Sequence, residues 1–181
     1  GHSLRCSDAR TIAGLRRHDV GANTYFPPIP LMPFYRTKYG YKPGDFPVEL
    51  AGVLKNIIAI AAGALSGMGY GENAKGLLVS RGMVEMIYLG RALGGNTKAF
   101  LGVAGVGDLV TTCNSSLSRN FNVGFRLAQG ETLADIQAST DEIAEGVNTV
   151  QIAKKCADYY KVKAPITTTL YKVFFEDLTM K

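Results

Sequence analysis

The sequence predicts an all-α body preceded by a proline-rich irregular segment, and three observations carry that prediction. Six of the seven prolines fall between residues 27 and 47, and the next is Pro165. From Val48 onward good helix formers run in blocks broken by glycine, with apolar residues recurring at helical spacing. No βαβ alternation is visible, and no complete Rossmann signature occurs in the 181 residues. Two parts are expected: a leading segment or linker, 1–47, and a helical domain, 48–181.

The stretch "PPIPLMPFYRTKYGYKPGDFP" lacks backbone donors at its prolines and cannot form a continuous helix. Phe34 to Tyr39 is a candidate short strand within it. Residues 1–47 carry seven Lys/Arg against three acids, leaving 13 against 12 in the remainder, so the formal charge of +5 belongs mostly to this segment. The body has no basic cluster with aromatics or a recognition helix, which argues against a nucleic-acid partner. The opening "GHSL" is expected to be a cleavage scar at a non-native start.

Helices are expected at 48–66, 73–94, 97–103, 118–129, 131–138, 148–160 and 166–176. In the first, the apolar run after Asn56 is nine residues, Ile57 to Leu65. A bilayer span needs about 20, so a buried core helix is expected and no membrane span. Gly63, Gly67, Gly69, Gly71 and Gly76 read as its exit and the following loop; Lys75 precedes Gly76, so the cluster is not a phosphate cradle. The second helix follows Asn73, presents Leu77, Leu78, Met83, Met86, Ile87, Leu89 and Leu93 as apolar faces, and ends at Gly94-Gly95. After the third, "GVAGVGD" (102–108) lacks the strand context of a nucleotide loop. The fourth begins within "TTCNSSLSRN", the fifth at Glu131-Thr132 after Gly130, the sixth follows "DEIAEGVNT", and the last is entered through Pro165.

The chemistry must rest on Lys, Asp, Arg, Ser, Thr and Asn. Cys6, Cys113 and Cys156 are far apart, and His2 and His18 are the only histidines, which leaves neither a disulfide framework nor a metal site. The cysteine usage fits a reducing compartment, cytoplasmic or, for a plant or alga, the plastid stroma. Lys55 has Ala51, Gly52, Ile58 and Ala59 as helical neighbours. It either snorkels to water or sits in a cleft as a usable acid or base. Asp108 is either a helix cap or a carboxylate that orients a hydroxyl or holds the lysine's ammonium. "TTCNSSLSRN" offers hydroxyls, amides and Arg119 at a helix start, suited either to capping or to an anion such as phosphate. Glu145 either closes a helix or reaches a ribose hydroxyl.

Taken in order, "VELAGVLKNIIAIAAG", "GVGDLVTTC", "LSRNFNVGFRLAQGETL" and "AEGVNT" resemble the C-terminal domain of NAD(P)-dependent glycerol-3-phosphate dehydrogenase, in its bacterial and plastid branch. The resemblance implies a helical domain of the 6-phosphogluconate dehydrogenase C-terminal type, packed in the family against a Rossmann domain of which residues 1–47 would be a remnant. It implies hydride transfer between NAD(H) or NADP(H) and dihydroxyacetone phosphate, giving glycerol 3-phosphate. It further implies Lys55 as catalytic acid/base; Asn56, Asp108, Thr112, Ser118, Arg119 and Asn120 near substrate; and Arg119, Ile143 and Glu145 on the cofactor side. A homodimer is compatible with it. The family continues beyond "FEDLTMK" through another helix, so the chain is expected to be a substrate-domain fragment. The alternative is a cofactor-free helical module for dimerisation or metabolite binding. Another dehydrogenase acting on an acid without phosphate is disfavoured by "SSLSRN".

Overall fold

The structure is a computed structural model that describes residues 45–93, 95, 97–139 and 145–180. The candidate strand at Phe34 to Tyr39 lies outside them. The described residues form an all-α domain without β-strands. Its helices are α1 (Asp45–Gly67), α2 (Glu72–Ala92), α3 (Thr97–Phe100), a π-helical turn (Val103–Gly107), α4 (Asp108–Asn114), α5 (Arg119–Ala128), α6 (Leu133–Ala138), α7 (Glu145–Tyr160) and α8 (Pro165–Phe175).

Seven of these elements match expected helices within a few residues; α4 does not. Its sequence "DLVTTCN" is rich in β-branched residues with low helix propensity. Burial of Leu109 and Cys113 against the core stabilises the helix there in spite of its composition. The expected 97–103 helix stops at Phe100, where the π-helical turn follows. Phe100 is fully buried; a Cβ on Gly105 would overlap its carbonyl oxygen, and one on Gly90 its ring. Those two glycines let the chain fold tightly around one aromatic ring and deliver Asp108 to the start of α4.

Helix α1 runs through the centre and touches every other element except α6 in a substantial contact. Its residues Leu50, Leu54, Ile57, Ile58 and Ile60 are essentially inaccessible. The segment Leu50–Gly67 is long and apolar enough to cross a bilayer by length and composition, yet 67% of it is buried inside the protein. Burial against neighbouring helices, rather than shortness, identifies it as a core helix.

Two of the glycines expected to form the exit of α1 have a different task. A Cβ at Gly63 would overlap the Phe121 carbonyl, and one at Gly67 would lie 2.7 Å from the Phe125 carbonyl and 2.8 Å from Ala128 Cβ. Reciprocally, a Cβ at Gly124 would overlap the Ile60 carbonyl. From Gly63–Phe121 to Gly67–Phe125 both chains advance by four residues, so α5 lies parallel to α1 at backbone contact, which only glycine allows. The exit proper is Gly69, in the left-handed region at φ 79°, with Tyr70 N–H donating to Leu65 O at 3.0 Å.

The second helix uses its apolar residues unevenly. Met86, Leu89 and Leu93 are buried, whereas Leu77 is exposed together with Val84 and Tyr88. Glu85, also buried, accepts hydrogen bonds from Ile166 N–H and Thr167 N–H at 2.8 Å and from the Thr167 hydroxyl at 2.5 Å. A carboxylate of α2 thus satisfies the first donors of α8, which no residue of its own caps.

Candidate functional site

Lys55 projects from α1 towards α4. Its Nζ lies 2.6 Å from Asp108 Oδ2 and donates to Thr112 Oγ1 at 3.2 Å. Thr112 in turn donates to the Asp108 carbonyl at 2.6 Å, one helical turn back, with Asp108 Oδ1 at 3.3 Å. The Lys55 side chain is 18% exposed and that of Asp108 43%. The ammonium therefore sits mostly out of water while its counter-ion forms the wet side of the cluster. An ammonium has three N–H donors; among the described residues Asp108 and Thr112 take two, and the third is the one a ligand can use.

Asp108 is the first residue of α4, where negative charge is favoured by the helix dipole. It does not cap the helix: Gly107 holds that position without a side-chain bond. Of the two alternatives that the sequence leaves open for Asp108, the structure has the ion pair. Asn56 is buried beside Lys55. Cys113, next to Thr112, is fully buried; desolvation pushes its thiol up to about 12, although Lys55 and Lys75 pull the other way. It is no nucleophile at neutral pH.

A second group is carried by α5 and α7. Ser118 caps α5, accepting from Phe121 N–H at 3.3 Å. Arg119 is the first residue of the helix and is exposed. Asn120 Oδ1 accepts the N–H of Gly146 at 3.0 Å, in the first turn of α7. Glu145 therefore opens a helix rather than closing one, and is exposed at its start. Ile143 lies outside the described residues. Asn120 reaches α1 level with Ile60, since both border the space a Cβ on Gly146 would need. Ile60 is five residues beyond Lys55, about 7.5 Å along the helix. Five residues also turn about 140° around the axis, so the two groups meet α1 at neighbouring levels along its length.

Gly146 is a participant that the sequence does not single out as one. The only signal for it is the "EG" pair within "AEGVNT", where glycine beside the acidic residue marks a close approach whose partner, Asn120, is 26 residues away.

Comparison with known proteins gives a consistent result. The family described as "NAD-dependent glycerol-3-phosphate dehydrogenase C-terminus" matches residues 46–181. A Staphylococcus haemolyticus protein named glycerol-3-phosphate dehydrogenase [NAD(P)+] is 47% identical over 134 residues, covering 74% of this chain and 40% of the relative. A Nostoc protein of the same name is 47% identical over 137 residues, covering 76% and 45%. The chain thus spans less than half the length of these curated relatives. Among solved structures, the glycerol-3-phosphate dehydrogenase of Coxiella burnetii superposes with a TM-score of 0.71 at 35% identity, over 74% of this chain and 41% of that one. A Dunaliella salina structure shares the fold, with a TM-score of 0.67 at 24% identity over 75% and 25%.

Proposed function

The chain belongs to the C-terminal family of NAD-dependent glycerol-3-phosphate dehydrogenases, and from that premise we propose that it is the substrate-binding and catalytic half of such an enzyme. The observation that carries this proposal is the largely buried Lys55 ammonium held between Asp108 and Thr112, which take two of its three N–H groups among the described residues. The reaction is interconversion of dihydroxyacetone phosphate and glycerol 3-phosphate with NAD(H) or NADP(H), and the fold is of the 6-phosphogluconate dehydrogenase C-terminal type. The compartment is cytoplasmic, or stromal in a plant or alga. Division at 47/48 into a leading segment and a helical domain, and association as a homodimer, belong to the same proposal.

When bound, the cofactor supplies or accepts the hydride. Arg119 and Glu145, exposed at adjoining helix starts, offer a cation and a carboxylate and fit its polar edge; the family resemblance adds Ile143 to the cofactor residues. The chain's own residues handle substrate and proton. As the carbonyl carbon of the ketone is reduced, negative charge grows on its oxygen, and the third N–H of Lys55 stabilises that charge and then transfers its proton. Asp108 balances the ammonium, and Thr112 accepts one of its hydrogens, so the remaining N–H has a fixed direction. Ser118, Arg119 and Asn120 at the start of α5 bind the phosphate, which anchors the reacting carbonyl from its far end. Asn56 lines the Lys55 side of the substrate.

Calorimetric titration of the chain with glycerol 3-phosphate tests this function. Saturable binding is expected, weakened roughly 10- to 150-fold in Arg119→Ala, as loss of a charge-assisted contact worth about 1.5–3 kcal/mol requires. Absence of binding by the unaltered chain would favour the helical interaction module instead.

A further inference from the structure

Asn120 stands in the first turn of α5, but its side-chain oxygen is bonded to another helix. The partner is an N–H, so the Asn120 oxygen must face Gly146 and the amide NH2 must face away from it. Among the described residues the acceptor of the Gly146 N–H, in the first turn of α7, is the Asn120 oxygen; N–H groups at such a position look outside their own helix for a partner. Asn120 therefore does from α5 what an N-cap side chain does from within a helix. The fit is tight: a Cβ on Gly146 would overlap Asn120 Oδ1 and lie 2.7 Å from Ile60 Cδ1. Gly146 is buried, so water is poorly placed to substitute for the bond. Glu145, the residue immediately before it, is carried by the same turn, and its carbonyl accepts the Thr149 hydroxyl at 2.8 Å.

We infer that Asn120 is a positioning residue that ties the phosphate-facing start of α5 to the cofactor-facing start of α7 through the Gly146 N–H, so that occupation of the first stiffens the second. This rests on the function proposed above for the two helix starts. The physical link is a single rigid contact. A ligand that immobilises the Asn120 NH2 also immobilises the oxygen of the same amide group, and with it the turn that holds Glu145. The coupling is reciprocal, as any linkage of two binding equilibria must be.

Amide hydrogen exchange at position 146 tests the inference in the chain as it stands, with glycerol 3-phosphate as probe and its occupancy measured by calorimetry on the same samples. In the unaltered chain without ligand, the Gly146 amide is expected to exchange at least tenfold more slowly than in Asn120→Ala, with exchange across α1 unchanged. Asn120→Asp keeps an acceptor and should keep the protection. At matched occupancy, glycerol 3-phosphate should slow exchange a further severalfold in the unaltered chain and leave it unaffected in Asn120→Ala. Gly146→Ala, which pushes the Asn120 oxygen aside, should abolish the ligand effect without removing either polar group. Equal exchange in the unaltered chain and Asn120→Ala, or ligand protection that survives in Asn120→Ala, would overturn the inference. If the unaltered chain binds no glycerol 3-phosphate, the isotherm rejects the proposed function and the coupling with it, while the ligand-free comparison still decides whether Asn120 positions α7.

Discussion

Lys55 lies on a face of α1 whose neighbours Ala51, Ile58 and Ala59 are buried, so its charge relies on Asp108 and Thr112 more than a surface lysine's would. The magnitude of that reliance follows from exposure. A fully buried pair that loses one partner costs about 3–5 kcal/mol, but the Asp108 side chain is 43% exposed, and water screens the pair towards the surface value of about 1 kcal/mol or less. Asp108→Asn is therefore expected to lower stability by only about 1 kcal/mol in urea denaturation. A loss of several kcal/mol would show that the pair is sealed from water. The neighbouring Cys113 has the opposite character. With its thiol pushed up to about 12 by burial, its thiolate fraction at pH 8 is on the order of a thousandfold below that of an unfolded cysteine. Alkylation of Cys113 by iodoacetamide at pH 8 should be slower in the folded chain than in urea by at least that factor, as followed by mass spectrometry. The residue types of the Lys55 cluster were legible one by one in the sequence. Their pairing stood only as one of two alternatives for Asp108, because Lys55 and Thr112 are 57 positions apart and nothing local decides that they meet.

Between elements, two contacts determine where the site residues stand. The first is the glycine seam between α1 and α5. Gly124→Ala would drive a methyl group into the Ile60 carbonyl, and since backbone cannot yield as a side chain does, a cost at or above the upper end of the usual 1–3 kcal/mol for overpacking is expected in denaturant titration. The same substitution should weaken glycerol 3-phosphate binding, because it separates α5 from the helix that carries Lys55. The second is Glu85, whose carboxylate satisfies three donors at the start of α8. Glu85→Ala leaves one buried and one partly buried N–H group without their acceptor and should cost about 2–4 kcal/mol, with Glu85→Gln costing less. If Glu85→Ala unfolds at the same urea concentration as the unaltered chain, water replaces the carboxylate. Helix periodicity placed α2 and α8 correctly. It could not foresee that an acidic residue on an otherwise apolar helix face would be buried, since its partners are backbone groups 81 and 82 residues on. The helix α4 escaped for a related reason: its β-branched residues argue locally against a helix, and only burial of Leu109 and Cys113 decides for one.

At the scale of the whole molecule, the titrating groups with raised pKa set the alkaline limit. Desolvation raises Cys113 to about 12 and Tyr160 above its ordinary value of 10. In both cases the folded state holds protons that the unfolded chain has already released. Their contribution to stability is complete below pH 9 and is lost as pH rises through the interval from 9 to 12 for Cys113, and above 10 for Tyr160. Stability should fall with a slope of up to about 1.4 kcal/mol per pH unit from Cys113 alone, and Cys113→Ala should flatten that limb of a urea-midpoint profile taken from pH 8 to 11. The sequence by itself determined the all-helical class, most helix limits, the family and the identity of the reactive residue types, because these depend on composition, periodicity and short motifs that neighbouring residues carry. Only the tertiary structure decided that the glycines of the long apolar helix receive α5, that Asp108 pairs with Lys55 instead of capping α4, and that Asn120 holds the start of α7. Each of those is a contact between residues distant in the chain. Its energy comes from burial and from satisfying a charge or an N–H away from water, which a linear pattern does not encode.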